Sequence, residues 1–491
     1  MRIGPLNITF GSGSAARDRK KGRRRGGRAV RLPRRRSFAS AELSDLFSGF
    51  TGTTASINEE LRGSLRTMRA RSRQLCQDND YAAKFLNMVG SNVVGNNGIM
   101  LQSEAVGPDG TADEENRKLI EEAWKDWGEL GTPDVTGTMS WVDIQRLVIE
   151  TLARDGEVLV VDYATSDNAF GYAIQVLECD RLNEAMNAEL DNGNRIVMGV
   201  ELSPLGKPVA YHLLTAHPGE ATHAWAGRYY DRVPASRINH LFITKRAEQA
   251  RGIPWMNTAI RRLDMLGGYE EAEWTAARVA ACKMGVITTP DGDGYEGDDE
   301  DDDGNILDDV EAGTFRQLAQ GQTLEMFDPK HPNSAYESFA KSVLRGAASG
   351  MNVTYTALAN DLEGVNFSSI RAGVLEEREQ WRSLQTFVAD ALCDRVYRVW
   401  LGHALLSGAL TIPPRKTDNL RVVRWVPRGW AWVDPLKDID AAARSVELGI
   451  GTRTDAAAAQ GRDLTHVVKR LAGEEQIPKD PRLHKKPEPA P

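Results

Sequence analysis

From Asn58 onward, apolar side chains recur at helical spacing: Leu61, Leu65, Met68 and Leu75 form one stripe, and Arg62, Arg66, Arg69 and Arg73 form a second beside it. The pattern predicts a helix with one packed face and one basic face. Asp80 to Val94 reads as a second helix, stopped by Gly95-Asn96-Asn97-Gly98, because glycine and asparagine tolerate the positive φ of a turn, and a strand should follow. Two further helices are predicted over 113–128, with Leu119, Ile120, Ala123, Trp124 and Trp127 on one face, and over 141–154, with Trp141, Ile144, Leu147, Val148 and Leu152. Gly156 is placed to end the latter.

The period then becomes that of strands at Glu157 to Tyr163, Tyr172 to Leu177, Ile196 to Leu202 and Pro208 to Leu214, with Ser203-Pro204-Leu205-Gly206 as a turn. Ile253-Pro254-Trp255 opens a helical stretch to about Met284, with Pro254 near its start. Strand-like pieces follow at Phe315 to Leu318 and Thr323 to Phe327, then a helix over Ser334 to Met351 and a loop over Leu358 to Phe367 that contains Gly364. The longest helix runs from Ser369 to Leu401 on Ile370, Val374, Trp381, Leu384, Val388 and Leu392. Residues 421–433 look strand-like, Asp434 can cap a helix with Pro435 at its first position, short helices reach Glu475, and 478–491 is a polar, proline-rich tail. The class is α+β.

Length and charge refine this picture. At 491 residues the chain should form about three units, and 41% hydrophobic with 26% charged residues is an ordinary globular composition. The net charge of -8 averages two opposed segments. Residues 1–40 hold thirteen Lys and Arg against the single acid Asp18, whereas residues 291–311 hold twelve acids and no base. The basic arm favours a polyanion and should supply most of any salt-sensitive DNA binding. With few large apolar groups over 1–56, it is expected to be mobile on its own.

Cys76, Cys179, Cys282 and Cys393 lie far apart with no C-x-x-C pair, so reduced thiols are expected and neither a zinc site nor a disulfide framework is suggested. No apolar run approaches about 18 residues and the arginine-rich start has no apolar region behind it, which points to a cytosolic or assembled-particle setting without a membrane.

The common catalytic signatures are absent from the sequence: no G-x-x-x-x-G-K-[ST], no H-E-x-x-H and no G-x-S-x-G. Asp299, Asp301, Asp303 and Gly304 imitate the start of a calcium loop, but its twelfth position falls on Val310, so a solvated acidic loop is the favoured reading. No catalytic residue, cofactor or metal is assigned. The arginine stripe could meet DNA or acids of a neighbouring subunit, or could simply be a solvated face. Trp124, Trp127, Trp141, Trp381 and Trp400 each sit on an apolar helical stripe and are read as core, not as base-stacking platforms.

Several segments, in order, carry a resemblance. They are Leu61-Arg62 with Arg69-Ala70-Arg71-Ser72-Arg73, Asn79 and the Val93-Val94-Gly95 ending; Arg154-Asp155-Gly156-Glu157; and Val233-Pro234-Ala235, Ile238, His240-Leu241-Phe242 and Gln249-Ala250-Arg251-Gly252-Ile253-Pro254-Trp255. Further on come Asn366-Phe367-Ser368-Ser369 with Arg371-Ala372-Gly373, Trp432-Val433-Asp434-Pro435, and Gly461-Arg462-Asp463. Together they resemble the lambda-like family of bacteriophage portal proteins over about residues 40–475. The basic arm and proline tail lie outside the resemblance, and the acidic insertion at 291–305 is longer than the family pattern.

The resemblance implies a non-enzymatic subunit of a ring of about twelve, mainly helical, with a mixed sheet in the wing and a small α/β clip. The implied division is a basic arm (1–56), wing (57–253), first stem helix (254–283), clip with the acidic loop (284–333), second stem helix (334–351), tunnel loop with wing helix and strands (352–433), crown-like helices (434–477) and tail (478–491). It implies double-stranded DNA, a terminase, the major capsid or scaffold protein and a head-tail connector as partners. The implied location is the portal vertex of the virion, reached from the host cytoplasm during assembly. Lys341 and Arg345 would then form basic rings, or pair with acids of adjacent subunits, while the tunnel loop brings Asn360, Asp361 and Asn366 toward the axis. Two other readings stay open on the sequence: a metal-dependent nuclease using the acidic run, and a monomeric nucleic-acid-binding protein led by the basic arm.

Overall fold

The computed structural model describes residues 54–107, 110–220, 229–281, 285–288, 323–326, 335–364, 366–412, 419–431, 434–462 and 464–475. Residues 1–53 of the basic arm, the acidic run, Phe315 to Leu318 and the proline tail lie outside the described residues. Helix α1 (Ile57–Asp78) starts at Ser56, whose side chain accepts from Glu59 N, and ends where the Asn79 side chain caps α2 (Asp80–Val89). A π-helical turn, Gly90–Val94, carries α2 on to Gly95 at φ +70°.

Strand β1 (Met100–Ser103), helix α3 (Glu114–Trp127) and helix α4 (Trp141–Asp155) follow, and α4 ends at Gly156 in the left-handed conformation, as the sequence predicts. Next come β2 (Glu157–Ala164), β3 (Tyr172–Leu177), β4 (Ala188–Glu189), β5 (Arg195–Val197), β6 (Val200–Leu202), β7 (Pro208–Leu214), β8 (Tyr230–Pro234) and β9 (Ile238–Phe242). They form a three-stranded sheet in the order β3-β2-β9 and a five-stranded sheet in the order β4 to β8. Every ladder between these strands is antiparallel, so the mixed sheet expected from the family resemblance is replaced by antiparallel ones. The single strand expected over Ile196 to Leu202 is a hairpin, because Met198 and Gly199 both take positive φ, the geometry of a tight two-residue turn.

Helix α5 spans Ile260–Ala281 and does not begin at Pro254. Trp255 N instead donates to Ala153 O at the end of α4, and Asn257 N and Ala259 N close four-residue turns by donating to Pro254 O and Met256 O before regular helix begins. The hairpin of β10 (Gly285–Thr288) and β11 (Thr323–Met326) comes between α5 and α6 (Tyr336–Gly350). The two helices run antiparallel: Thr258 Oγ1 donates to Gly350 O at one end, and Tyr269 stacks on Tyr336 at the other.

A short helix α7 (Tyr355–Ala359) leads to α8 (Phe367–Val388), which passes through a π-helical turn, Ala389–Cys393, into α9 (Asp394–Ser407). The predicted long helix is thus present, interrupted and longer. Of the strand expected over 421–433, the described residues up to 431 form β12 (Val423–Val426), paired with β1 and stopped by Pro427, which has no N–H for the ladder. Helices α10 (Pro435–Glu447), α11 (Arg453–Ala459) and α12 (Leu464–Glu475) close the described chain. Asp434 occupies the cap position of α10 without a side-chain capping bond; Asp434 N donates to the Asp438 carboxylate.

Two cores share one strand. Val158 and Val160 of β2 face a core that contains the five tryptophans predicted to be buried, while Leu159 and Val161 face another built on Leu61 and Leu65 of α1 and on both large sheets. That sharing explains why everything described from Ser56 onward forms one unit where length alone predicts about three. No residue of α10 or α11 is buried, and Leu436 and Ile450 are 79% and 78% exposed. Among the described residues no helix is long and apolar enough to cross a membrane.

Candidate subunit-contact and channel sites

The predicted arginine stripe divides. Arg62 and Arg66 are exposed on α1, and Arg62 reaches Glu59 of its own helix at 3.4 Å. Arg69 is buried at 1% exposure, with Nη2 3.1 Å from Glu157 and Nη1 2.9 Å from Asp180. Arg73 grips both oxygens of Asp155 at 2.9 Å and also meets Asp180. The reading of these two as DNA or neighbour contacts is therefore corrected: α1 packs against the α4–β2 junction, which brings acids of the same chain to them.

Glu157, fully buried at the head of β2, is the hub. Arg251 Nη2 lies 2.7 Å from Oε1, His240 Nε2 2.9 Å from Oε2, and Gly252 N donates to Oε2 at 2.8 Å. Arg251 also donates to the carbonyls of Met198, Leu182 and Cys179, so one guanidinium ties β2 to the β5–β6 turn. Burial alone would push the Glu157 carboxyl up, but Arg251, His240 and Arg69 outweigh it and hold it far below the usual carboxylate range. Burial pushes His240 down. Sequence reasoning missed this hub, although its signal was present: an acid heading a run apolar at successive positions, where a charge requires buried partners.

Two groupings have the composition of metal sites. Glu157, Cys179 and His240 cluster, but Arg69 and Arg251 already neutralise the carboxylate and burial keeps the Cys179 thiol protonated. Glu178, Asp180 and His217 also cluster, with the Arg73 guanidinium 2.5 Å from Asp180 and 3.6 Å from Glu178 where a cation would sit. The calcium-like sequence at 299–310 lies outside the described residues.

The predicted channel residues fall into one neighbourhood. Lys341 on α6 lies 2.6 Å from Glu337, 3.4 Å from Glu363 and 3.7 Å from Asp361, and Glu337 above all holds its ammonium above the ordinary value. Tyr355 OH donates to Asp361 at 2.6 Å, and the Arg345 guanidinium lies 5.3 Å from the Tyr355 ring centroid. Asn360 takes φ +52° at the end of α7, and Asn366 caps α8 by accepting from Ser369 N. Lys341 thus pairs with acids of its own chain, and the loop is fastened to α6.

A second acid on the sheet yields a pH prediction. Glu201 accepts from Arg232 Nε at 2.7 Å and from Asn194 at 2.8 Å, and Arg232 above all lowers its pKa from 4.5 to about 2. A depressed carboxyl adds stability above the unfolded pKa and loses it as pH falls through the folded one. Glu201→Gln should therefore flatten the fall in urea midpoint between pH 4.5 and about 2; an unchanged profile would show that Arg232 does not set the acid limb.

The chain is thus of the α+β class, with charged side chains that brace one another in its interior and exposed apolar residues such as Leu436 and Ile439 on α10. The model for the phage portal protein, lambda family, matches residues 44–385. A probable portal protein of Halomonas phage phiHAP-1 is 37% identical over 443 residues, spanning 89% of this chain and 86% of the relative. Portal protein B of Escherichia phage lambda is 22% identical over 464 residues, 86% of each chain. Among solved structures, a chain from the neck of an empty GTA particle aligns with a TM-score of 0.48 and 15% identity, covering 81% of this chain and 94% of that one. The chain belongs to the lambda family of phage portal proteins.

Proposed function

We propose that this chain is the subunit of a closed ring of about twelve copies at one vertex of a phage capsid, through which double-stranded DNA enters during packaging and leaves on ejection. The observation that carries the reading is the family match over residues 44–385 together with 37% identity to a portal relative along nearly the whole chain. The antiparallel α5–α6 pair with its β10–β11 hairpin suits a stem and clip, the segment between α7 and α8 suits a tunnel loop, the elements from α1 to β9 with α8 and α9 suit a wing, and α10 to α12 suit a crown.

The ring docks a terminase and later a head-tail connector, and it meets the major capsid or scaffold protein. Chemistry resides in those partners, and the subunit itself is not an enzyme. A conduit must hold DNA loosely, since each phosphate neutralised by the protein adds affinity that resists sliding. Pairing of Lys341 with loop acids serves that need, leaving Arg345 as the freer cation beside the channel. Arg62 and Arg66, exposed on α1, contribute to contacts between subunits.

Electron microscopy of the purified protein tests the assembly: closed rings of about twelve are expected, built by head-to-tail contacts whose rotation closes. Monomers or two-fold dimers at assembly concentrations would refute it. The double variant K341Q/R345Q should form normal rings yet package or retain less DNA. Normal packaging by that variant would remove both residues from the DNA path, and collapse of the rings would make them subunit contacts instead. Magnesium-stimulated DNA cleavage lost on deleting 291–305 would favour a nuclease.

A further inference from the structure

Trp430 is surrounded by cations. The guanidinium carbons of Arg378, Arg382 and Arg428 lie 5.7, 5.7 and 5.6 Å from its ring centroid. Arg378 and Arg382 stand one turn apart on α8, whereas Arg428 comes from the segment after β12. The indole is fixed by its Nε1, which donates to Asn92 Oδ1 at 3.0 Å.

Charge at this spot is poorly balanced. Among the described residues, Arg382 pairs with Glu379, while Arg378 donates to Ala431 O and Arg428 to Ser91 O and Gly429 O, all backbone carbonyls. Burial, reinforced by the charges of Arg382 and Arg428, holds Arg378 below the ordinary arginine value, and burial does the same to Arg428. The cations are attracted to the indole face, and the charges of Glu379 on Arg382 and of Asp438 on Arg378 offset the mutual repulsion only in part, since Arg378 still lies below its ordinary value. A guanidinium carries five N–H donors, and the hydrogen bonds above use no more than two on any of the three.

We propose that Arg378, Arg382 and Arg428, held around Trp430, form a binding site for the phosphodiester backbone of duplex DNA. The source of the phosphate rests on the DNA-conduit reading. Guanidinium forks match phosphate oxygens, and backbone contacts need a spread of fixed donors but no enclosed cavity. Two of the three guanidiniums are already anchored to backbone, so they meet a passing strand without further ordering. Glu379 within the patch keeps the grip weak.

The test measures affinity of the full-length protein for a short random-sequence duplex across a salt series. R378Q/R382Q should lower the slope of log affinity against log salt by about 1.8, at about 0.9 per phosphate contact. R382Q alone, at an exposed position that the fold does not need, should lower it by about 0.9, and R378K/R382K should keep it. R195Q/K207Q, the same charge loss on β5 and the β6–β7 turn, should leave it unchanged. An unchanged slope in R382Q and R378Q/R382Q overturns the proposal. So does loss of ring assembly with an intact slope, which would mark the patch as a contact for acids of a neighbouring protein. If wild-type rings fail to package DNA while the slope falls as stated, the site stands and the conduit reading fails.

Discussion

Glu157→Ala is expected to destabilise the chain by about 3–5 kcal/mol, read as a large fall in urea midpoint and loss of soluble protein. The size follows from what remains: Arg251, at 0% exposure, would lose its carboxylate partner, and Arg69, at 1%, would keep Asp180 and Glu184 but lose Glu157. Glu157→Gln should fall in between, because an amide keeps the shape and part of the hydrogen bonding while losing the charge. A change below about 1 kcal/mol for the alanine variant would mean that water enters and solvates the two arginines.

Gly156→Ala should prevent accumulation of folded protein altogether. A Cβ at Gly156 would lie 2.2 Å from Ile253 C and 2.4 Å from Pro254 N, both backbone atoms unable to swing aside, and the residue sits at φ +88°. Gly206→Ala isolates the conformational part: Gly206 has φ +81° with nothing within 4 Å, so only the left-handed backbone is strained, at about 1–2 kcal/mol. Comparing soluble yield and thermal midpoint of the two variants separates crowding from strain. Equal effects would show that the 253–254 segment can withdraw from α4.

Much of this architecture is legible in the sequence because it rests on periodicity. Helices α1, α3, α4, α6 and α8 lie where apolar residues recur at three and four, and Trp124, Trp127, Trp141, Trp381 and Trp400 are core as their stripes imply. What escaped depends on contacts between distant segments. The delayed start of α5 follows from Trp255 N bonding to Ala153 O, and the β5–β6 hairpin follows from positive φ at Met198, which no local pattern announces. The candidate site divides in the same way. Residue type flagged Arg69 and Arg73 as functional cations, but only the fold brings Asp155, Glu157 and Asp180 to them. Lys341 stands out in the sequence as a candidate channel cation, and its loop partners Asp361 and Glu363 become visible only with the geometry.

The strand shared by the two cores has a consequence for pairing fidelity. A strand with one wet face is held in register because a slip by one residue would turn its apolar side chains into water. β2 lacks that safeguard, since Val158 and Val160 on one side and Leu159 and Val161 on the other are nearly interchangeable between two dry interiors. Its alignment must come from the polar residues at its two ends. Glu157 finds its partners in the second core, and Asp162 accepts from Tyr172 OH at 2.7 Å on the first. A shift by one place would reverse both and strand two carboxylates among hydrocarbon, so these acids act as keys that admit a single alignment of the central strand.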